Sequence, residues 1–248
     1  MSNVSKVVLS NGEVLIDLTR DTVSPDKLGK GVTAHDAEGN EIVGTVPIDE
    51  LVNAEDYLAS VCNKEITELV NHKMVNLPGG DFQKGNNKLV KVDLPLVTFV
   101  RAGTFNQCGN LSIVNLPSVT KTDASCFESC QSLKKLYLPS LQTIEGWGWT
   151  FNNCQYLERV YFPVFTGTIT YGSFGGNKRL ATLILGSDTV VSLQSTGAFD
   201  NTPIKSGTGY IYVKRALVDS YKSETNWSTF ANQFRAKEDY PEVLEGWE

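Results

Sequence analysis

The chain has 248 residues, a net charge of −6, 41% hydrophobic and 20% charged residues, which is enough for one large domain or two small ones with a sizeable core. An acidic chain without Lys/Arg clusters lacks the basic surface that displaces counterions from phosphate, so nucleic acid is not an expected partner, nor is an electrostatic membrane anchor expected. No apolar run approaches the roughly 18 residues of a membrane span, and residues 7–9 fall short of the roughly 7–15 apolar residues of a secretory leader.

Residues 1–47 read as a small unit of short strands. Apolar stretches at 4–9 and 14–18 flank Asn11-Gly12, a hairpin turn signal. Ser24-Pro25-Asp26 starts a helical turn, and further strands at 32–36 and 42–45 flank Gly39-Asn40. Over 48–72, apolar residues stand at 51, 54, 58, 61, 62, 66, 69 and 70, between Pro47 and Pro78-Gly79-Gly80. This spacing predicts a helix. Residues 48–80 are thus either a connector or cap on the following domain, or a self-association segment suited to a homotrimer.

From 81 to 213 the sequence repeats. Leu94-Pro95, Leu116-Pro117, Leu138-Pro139, Phe162-Pro163 and Leu185-Gly186 recur at intervals of 22, 22, 24 and 23 residues. Each copy opens on a leucine (Leu89, Leu111, Leu133, Leu157, Leu180) and carries an apolar residue three later (Val92, Val114, Leu136, Val160, Leu183). Each closes on a phenylalanine: Phe105, Phe127, Phe151, Phe174, Phe199. Cys108, Cys130 and Cys154 follow three of these phenylalanines by three residues. The alternation at Val92 and Leu94 has the period of a strand with one buried face, and the proline after it ends the ladder. One such unit cannot bury its own apolar face, so the units must stack into a solenoid. Asn177 and Thr202 replace cysteine in the last copies, and Gly186 replaces proline, so those coils are expected to be less regular.

Residues 214–248 follow. Leu217, Val218, Tyr221, Trp227, Phe230 and Phe234 form an apolar pattern expected of one or two short helices capping the last coil. Residues 238–248 are acidic, contain Pro241 and read as a loose tail.

The repeats resemble BspA-type leucine-rich repeats, over about residues 87–236. The resemblance includes the closing segments Gly207-Thr-Gly-Tyr-Ile-Tyr-Val213, Tyr221-Lys222 and Asn226-Trp227-Ser228. It implies a β-rich leucine-rich-repeat solenoid of about five to six coils of 22–25 residues, with a small α+β N-terminal module, a connecting helix and a helical C-terminal cap. Residues 21–25 (Asp-Thr-Val-Ser-Pro), 33–36 (Thr-Ala-His-Asp), 39–40 and 44–45 resemble a module of tail and tail-fibre proteins of phages of Gram-positive hosts. That resemblance implies a virion protein of the tail, fibre or baseplate, made in the host cytoplasm and released by lysis. Residues 1–72 would dock to other tail or baseplate proteins, and the solenoid would face a host-surface glycan or protein. A bacterial surface adhesin, and a purely architectural role such as head decoration, are the competing expectations.

The search for chemistry favours a protein that is not an enzyme, with no cofactor and no metal. Gly-x-Ser-x-Gly, phosphate-loop and dinucleotide signatures are lacking. Asp93, Asp123, Glu128, Glu145 and Glu158 form no evident facing pair of the kind glycoside hydrolysis needs. His35 and His72 are the two histidines, each read as structural. Cys126 and Cys130 stand four apart and admit a metal or disulfide reading. Because Cys130 belongs to the repeat column, a packed ladder of small apolar side chains is favoured. For binding, the outward strand position puts Tyr137 and Tyr161 on neighbouring coils, beside Lys135 and Arg159. The widened third repeat adds Trp147 and Trp149 in a glycine-flanked bulge. Aromatic faces beside fixed polar groups suit sugar or protein recognition. The competing reading for the tryptophans is that one or both fill a wider coil.

Overall fold

The computed structural model divides the chain into two units, Met1–Asn63 and Lys64–Glu248. It describes the backbone of four strands in the first unit, and residues 64–77 and 80–247 in the second. In the first unit, Lys6–Val8 pairs antiparallel with Val14–Asp17, and Thr33–His35 with Glu41–Val43. The rest of the tail-module motif, and the helix expected over 48–63, lie outside the described residues.

The second unit is a stack of coils. Its major sheet consists of parallel strands, one per coil: Glu68–Val70, Lys91–Asp93, Ile113–Asn115, Lys135–Tyr137, Arg159–Phe162, Thr182–Leu185, Tyr210–Val213 and Phe234–Ala236. Leu69, Val92, Leu136, Val160, Leu183 and Ile211 point inward and are buried, so the alternation in the sequence is a strand burying one face. This sheet falls into two parts. Three strands end at Ile113–Asn115, five begin at Lys135–Tyr137, and no strand pairing joins the two parts. A minor sheet of two-residue strands lies further along each coil. Phe99–Val100, Lys121–Thr122 and Thr143–Ile144 pair in parallel, as do Thr168–Ile169 and Ser192–Leu193.

Each coil then turns through a third main-chain ladder. Phe105 N–H donates to Cys126 O at 2.8 Å, Phe127 to Thr150 O at 2.9 Å, Phe151 to Ser173 O at 2.9 Å and Phe174 to Ala198 O at 2.8 Å. Two residues later Gln107, Ser129, Asn153 and Gly176 donate to Glu128, Asn152, Gly175 and Asp200 at 2.7–2.8 Å. To aim every second N–H at the same neighbour, the chain enters the left-handed region two residues before the first four of the five phenylalanines and two residues after all five. The first position is Gly103 (φ 67°), Ser125 (54°), Trp149 (58°) and Gly172 (64°); the second is Gln107, Ser129, Asn153, Gly176 and Asn201.

Inside the turns the phenylalanines stack. Ring centroids of Phe105, Phe127, Phe151, Phe174 and Phe199 follow one another at 5.3, 5.8, 5.5 and 5.6 Å. Each ring is buried, a burial that contributes about 1.5–3 kcal/mol per ring.

Three expectations from the sequence need correction. The apolar spacing over 48–72 does not continue as helix to its end, because Glu68–Val70 is a strand in register with Lys91–Asp93. The short run Leu69-Val70 fits either period, and the unpaired edge of the next coil decides it. The two parts of the major sheet together therefore run from residue 68 to residue 236, beyond both ends of the 81–213 repeat region. At the C-terminus, the helices Val218–Ser223 and the 3-10 turn Trp227–Gln233 bury Tyr221, Trp227 and Phe230, but Phe234–Ala236 joins the major sheet as its edge strand. Nor are residues 238–247 loose. They make two 3-10 turns, Lys237–Asp239 and Pro241–Leu244, and bury Val243 and Trp247.

Candidate functional site

Two surfaces gather the side chains that sequence marked for binding. The first is the outer face of the major sheet. Tyr137 and Tyr161 pair across neighbouring strands, and their rings stack at 5.4 Å and 20°. They do not face solvent together. The C-terminal segment lies over them, with Trp247 5.9 Å from Tyr137 and 5.8 Å from Tyr161. Ile184, Tyr212, Val243 and Trp247 form a small core there, flanked by Tyr137, Tyr161 and Tyr240. Arg159 holds the segment down. Its guanidinium lies 4.8 Å from the Trp247 ring and donates to Val243 O at 2.6 Å and to Glu245 O at 3.4 Å. Burial, with Tyr137 adjacent, raises the Tyr161 phenol above its ordinary range; burial does the same at Tyr212.

Beyond this cover, where the major sheet is split, a hollow of about 690 Å³ opens between Ile113, Val114, Asn115, Lys135, Tyr137 and Trp247. Ile113 is 51% exposed there. Of the outward set expected to contact a ligand, Tyr137, Tyr161 and Arg159 instead receive the chain's own tail, while Lys135 stays at the rim.

The second surface is the turn edge. Trp147 is 70% exposed, whereas Trp149 is half-buried. Their rings meet at 4.9 Å and 74°, and Trp149 meets Tyr171 at 6.4 Å and 67°. Glycines make the seats. A Cβ at Gly172 would collide with the Trp149 indole, and one at Gly197 would come within 2.8 Å of the Tyr171 ring. Trp149 occupies the left-handed column that holds Gly103 and Gly172, a conformation costing an L-residue about 1–2 kcal/mol. Such strain in a bulky residue persists only where surroundings hold it. Neither tryptophan fills the inside of the coil; Phe151 does.

Hollows flank this aromatic corner. Trp147 lines one of about 410 Å³ with Asp81, Lys84, Gly103, Asn106 and Ser125. Trp149 and Tyr171 line another of about 330 Å³ with Asn152, Asn153, Asp200 and Asn201. Asn106 Nδ2 donates to Glu128 at 3.0 Å while its Oδ1 is buried without a partner. Sequence reading missed Tyr171, Tyr212, Tyr240, Val243 and Trp247. Tyr171 stands out in its column, because three residues before each phenylalanine the other coils have Ala102, Ala124, Gly148 and Thr196.

The cysteine column is internal. Cys108, Cys130 and Cys154 are buried and free, and their thiols donate to Gln83 O (3.1 Å), Phe105 O (3.3 Å) and Phe127 O (3.1 Å) of the preceding coil. Asn177 takes the same role, its Nδ2 donating to Phe151 O at 3.0 Å and its Oδ1 accepting from Cys154 N–H at 2.7 Å. Thr202 caps the helix Pro203–Ser206. The coil of Asn177 is therefore as regular as the others, whereas that of Thr202 departs as expected: its hydroxyl donates to Phe199 O of its own coil, and the turn contains the 3-10 segment Thr196–Phe199 and the helix Pro203–Ser206. Burial pushes Cys108 up from 9.0 to about 12 and also raises Cys126 and Cys130, which removes nucleophilic thiolate. His72 stands 3.4 Å from Asp93 at the surface. Among the described residues no three His, Cys, Asp or Glu side chains converge as metal ligands would.

Parallel one-strand coils with a stacked phenylalanine turn define a leucine-rich-repeat solenoid. The BspA-type leucine-rich-repeat model matches six copies over residues 80–209, and the chain belongs to that family. A solved leucine-rich-repeat protein of T. pallidum is similar to 56% of this chain and 79% of its own, at 23% identity and a TM-score of 0.40. No curated protein matches the chain.

Proposed function

We propose that this chain is a non-catalytic virion protein of a phage tail, tail fibre or baseplate, whose solenoid is displayed for host-surface binding. One observation supports display above the others. An exposed tryptophan, Trp147, stands beside a second, Trp149, held in a backbone conformation that costs stability. The other coils put a small residue there, Gly103, Ser125 or Gly172, and only this one a bulky ring. The virion assignment is supported by the motif at 21–45, which resembles tail modules. Under this reading residues 1–72 assemble with other tail proteins, as a homotrimer.

The family favours a second reading, a bacterial cell-surface adhesin, because the BspA-type array is a surface-recognition scaffold without catalytic machinery. Antibodies against the full chain separate the two. Labelling of tail structures on particles released by lysis supports the virion reading, and labelling of the producing cell's own surface supports the adhesin. Binding of the fluorescent full chain to intact Gram-positive cells tests recognition in either case. Absence of binding to every host tried would leave only an architectural role.

A further inference from the structure

We propose that the corner formed by Trp147, Trp149 and Tyr171 is a binding site for a neutral pyranose sugar, one ring of a longer glycan laid along the turn edge. The proposal rests on the surface-recognition reading above and names its ligand class.

Three features of the corner point to this chemistry. The first is shape. Trp147 and Trp149 meet at 74°, and Tyr171 continues from Trp149 at 67°. Near-perpendicular rings make a floor and a wall. A pyranose presents C–H bonds on its faces and hydroxyls at its rim, so it stacks on one ring while its edge abuts the next. Aromatic side chains give that contact at low entropic cost.

The second is the lining. No Leu, Ile, Val or Met lines either flanking hollow; the walls are glycine, alanine, amide, hydroxyl and carboxylate groups and the Lys84 ammonium around the aromatic rings. A protein partner's apolar anchor would find no aliphatic pocket there, whereas sugar hydroxyls meet amides already fixed in place. Asn152 Nδ2 donates to Gly172 O at 3.0 Å and Asn153 Nδ2 to Ser129 Oγ at 3.0 Å.

The third is charge. Asp81 pairs with Lys84 at 3.2 Å in one hollow, and Asp200 pairs with Lys205 at 3.7 Å beside the other. Neither hollow carries the unbalanced cation that an acidic sugar would require. The coils also repeat along the edge at the spacing of parallel strands, about 4.8 Å. A polymer can thus meet successive turns in one direction, from the hollow at Trp147 to the hollow at Tyr171.

The test is a titration of the full chain with neutral oligosaccharides of hexose and N-acetylhexosamine, two to six rings long, and with uronate-containing counterparts. Tryptophan emission is the readout. Trp227 is buried and Trp247 lines the separate hollow at Ile113, so the part of the response lost in the two variants below reports on Trp147 and Trp149. W147A removes an exposed ring. W149G replaces a left-handed residue with the one best suited to it, so both variants are expected to keep the wild-type circular dichroism. The expected result is saturable binding of at least one neutral glycan, weakened at least tenfold in each variant, with the uronates inert. Binding unchanged in both variants, binding of uronates alone, or binding of no sugar overturns the proposal. If no sugar binds while the chain still adheres to cells, and protease treatment of those cells abolishes adhesion, the ligand is a protein and only the recognition reading survives. If a glycan binds through the two rings while no cell is bound, the site stands and the recognition reading falls.

Discussion

The Arg159 guanidinium lies 4.8 Å from the Trp247 ring while donating to Val243 O, so one side chain both stacks on the C-terminal segment and hydrogen-bonds it. That pairing converts an outward arginine on a strand into a clamp. Replacing Trp247 with alanine removes a buried ring and its cation–π contact, a loss of about 2–3 kcal/mol. We expect residues 237–248 of W247A to be cut early in limited proteolysis while the solenoid remains intact. A segment as resistant as the wild type would mean that Val243 and Tyr240 suffice to hold it.

The phenylalanine stack should be the costliest place to cut. Phe151 contacts Phe127 at 5.8 Å, Phe162 at 5.8 Å and Phe174 at 5.5 Å. F151A is expected to lose about 3–5 kcal/mol in urea unfolding. A loss under about 1 kcal/mol would show that neighbouring coils collapse into the space.

Much of this scaffold was legible in the sequence, because a coil must place apolar residues at fixed intervals to meet its neighbours. The strand centres at Val92, Leu136 and Val160, the phenylalanine column and the cysteine column all follow from that demand. The tail was not legible. Its cover depends on Val243 and Trp247 meeting Arg159 and Tyr137 about 80–110 residues earlier, a separation that no local period reveals. Acidic composition around them masks the signal. Likewise the strand at Leu69 sits in a sequence whose period also suits a helix. The aromatic corner was half-legible: the bulge named Trp147 and Trp149, whereas Tyr171 shows only when the repeats are aligned on their phenylalanines and its column is compared coil by coil.

Position 172 and position 149 should respond oppositely to the same physics. G172A adds a Cβ in a left-handed residue, against the Trp149 indole. It is expected to lower stability by at least about 1–2 kcal/mol. W149G relieves comparable strain and gives up a half-buried ring, so its unfolding free energy in urea should stay within about 1 kcal/mol of wild type. Equal destabilisation by both would contradict the left-handed assignment of Trp149.

Asn177 offers a test of the thiol column. N177A strands Cys154 N–H and Phe151 O, at about 1–3 kcal/mol for each buried group left unpaired. N177C restores a donor to Phe151 O and should recover part of that loss. Thermal melts of the two variants side by side check the order; N177C falling below N177A would refute it.

Alkaline pH should weaken the fold. Burial holds Cys108 protonated to about 12 against 9.0, and Cys126 and Cys130 are raised in the same direction. A folded-state pKa above the unfolded one means that the native state retains protons that the unfolded chain releases. This contribution is complete below pH 9.0 and declines as pH rises from there towards about 12. Urea midpoints should thus be flat with respect to these thiols from pH 7 to 8.5 and fall above 9. The native thiols should also resist alkylation at pH 8, which a thiol-reactive dye measures directly.

The turn ladder has a consequence for how such an array can change. Its hydrogen bonds run from N–H to carbonyl, from Gln107 to Glu128 and from Asn153 to Gly175, and use no side-chain atom. The rim therefore keeps its architecture whatever outward-facing groups it carries, provided the backbone can reach the left-handed region. Variation can accumulate on that edge coil by coil, with a new surface written over an unaltered frame.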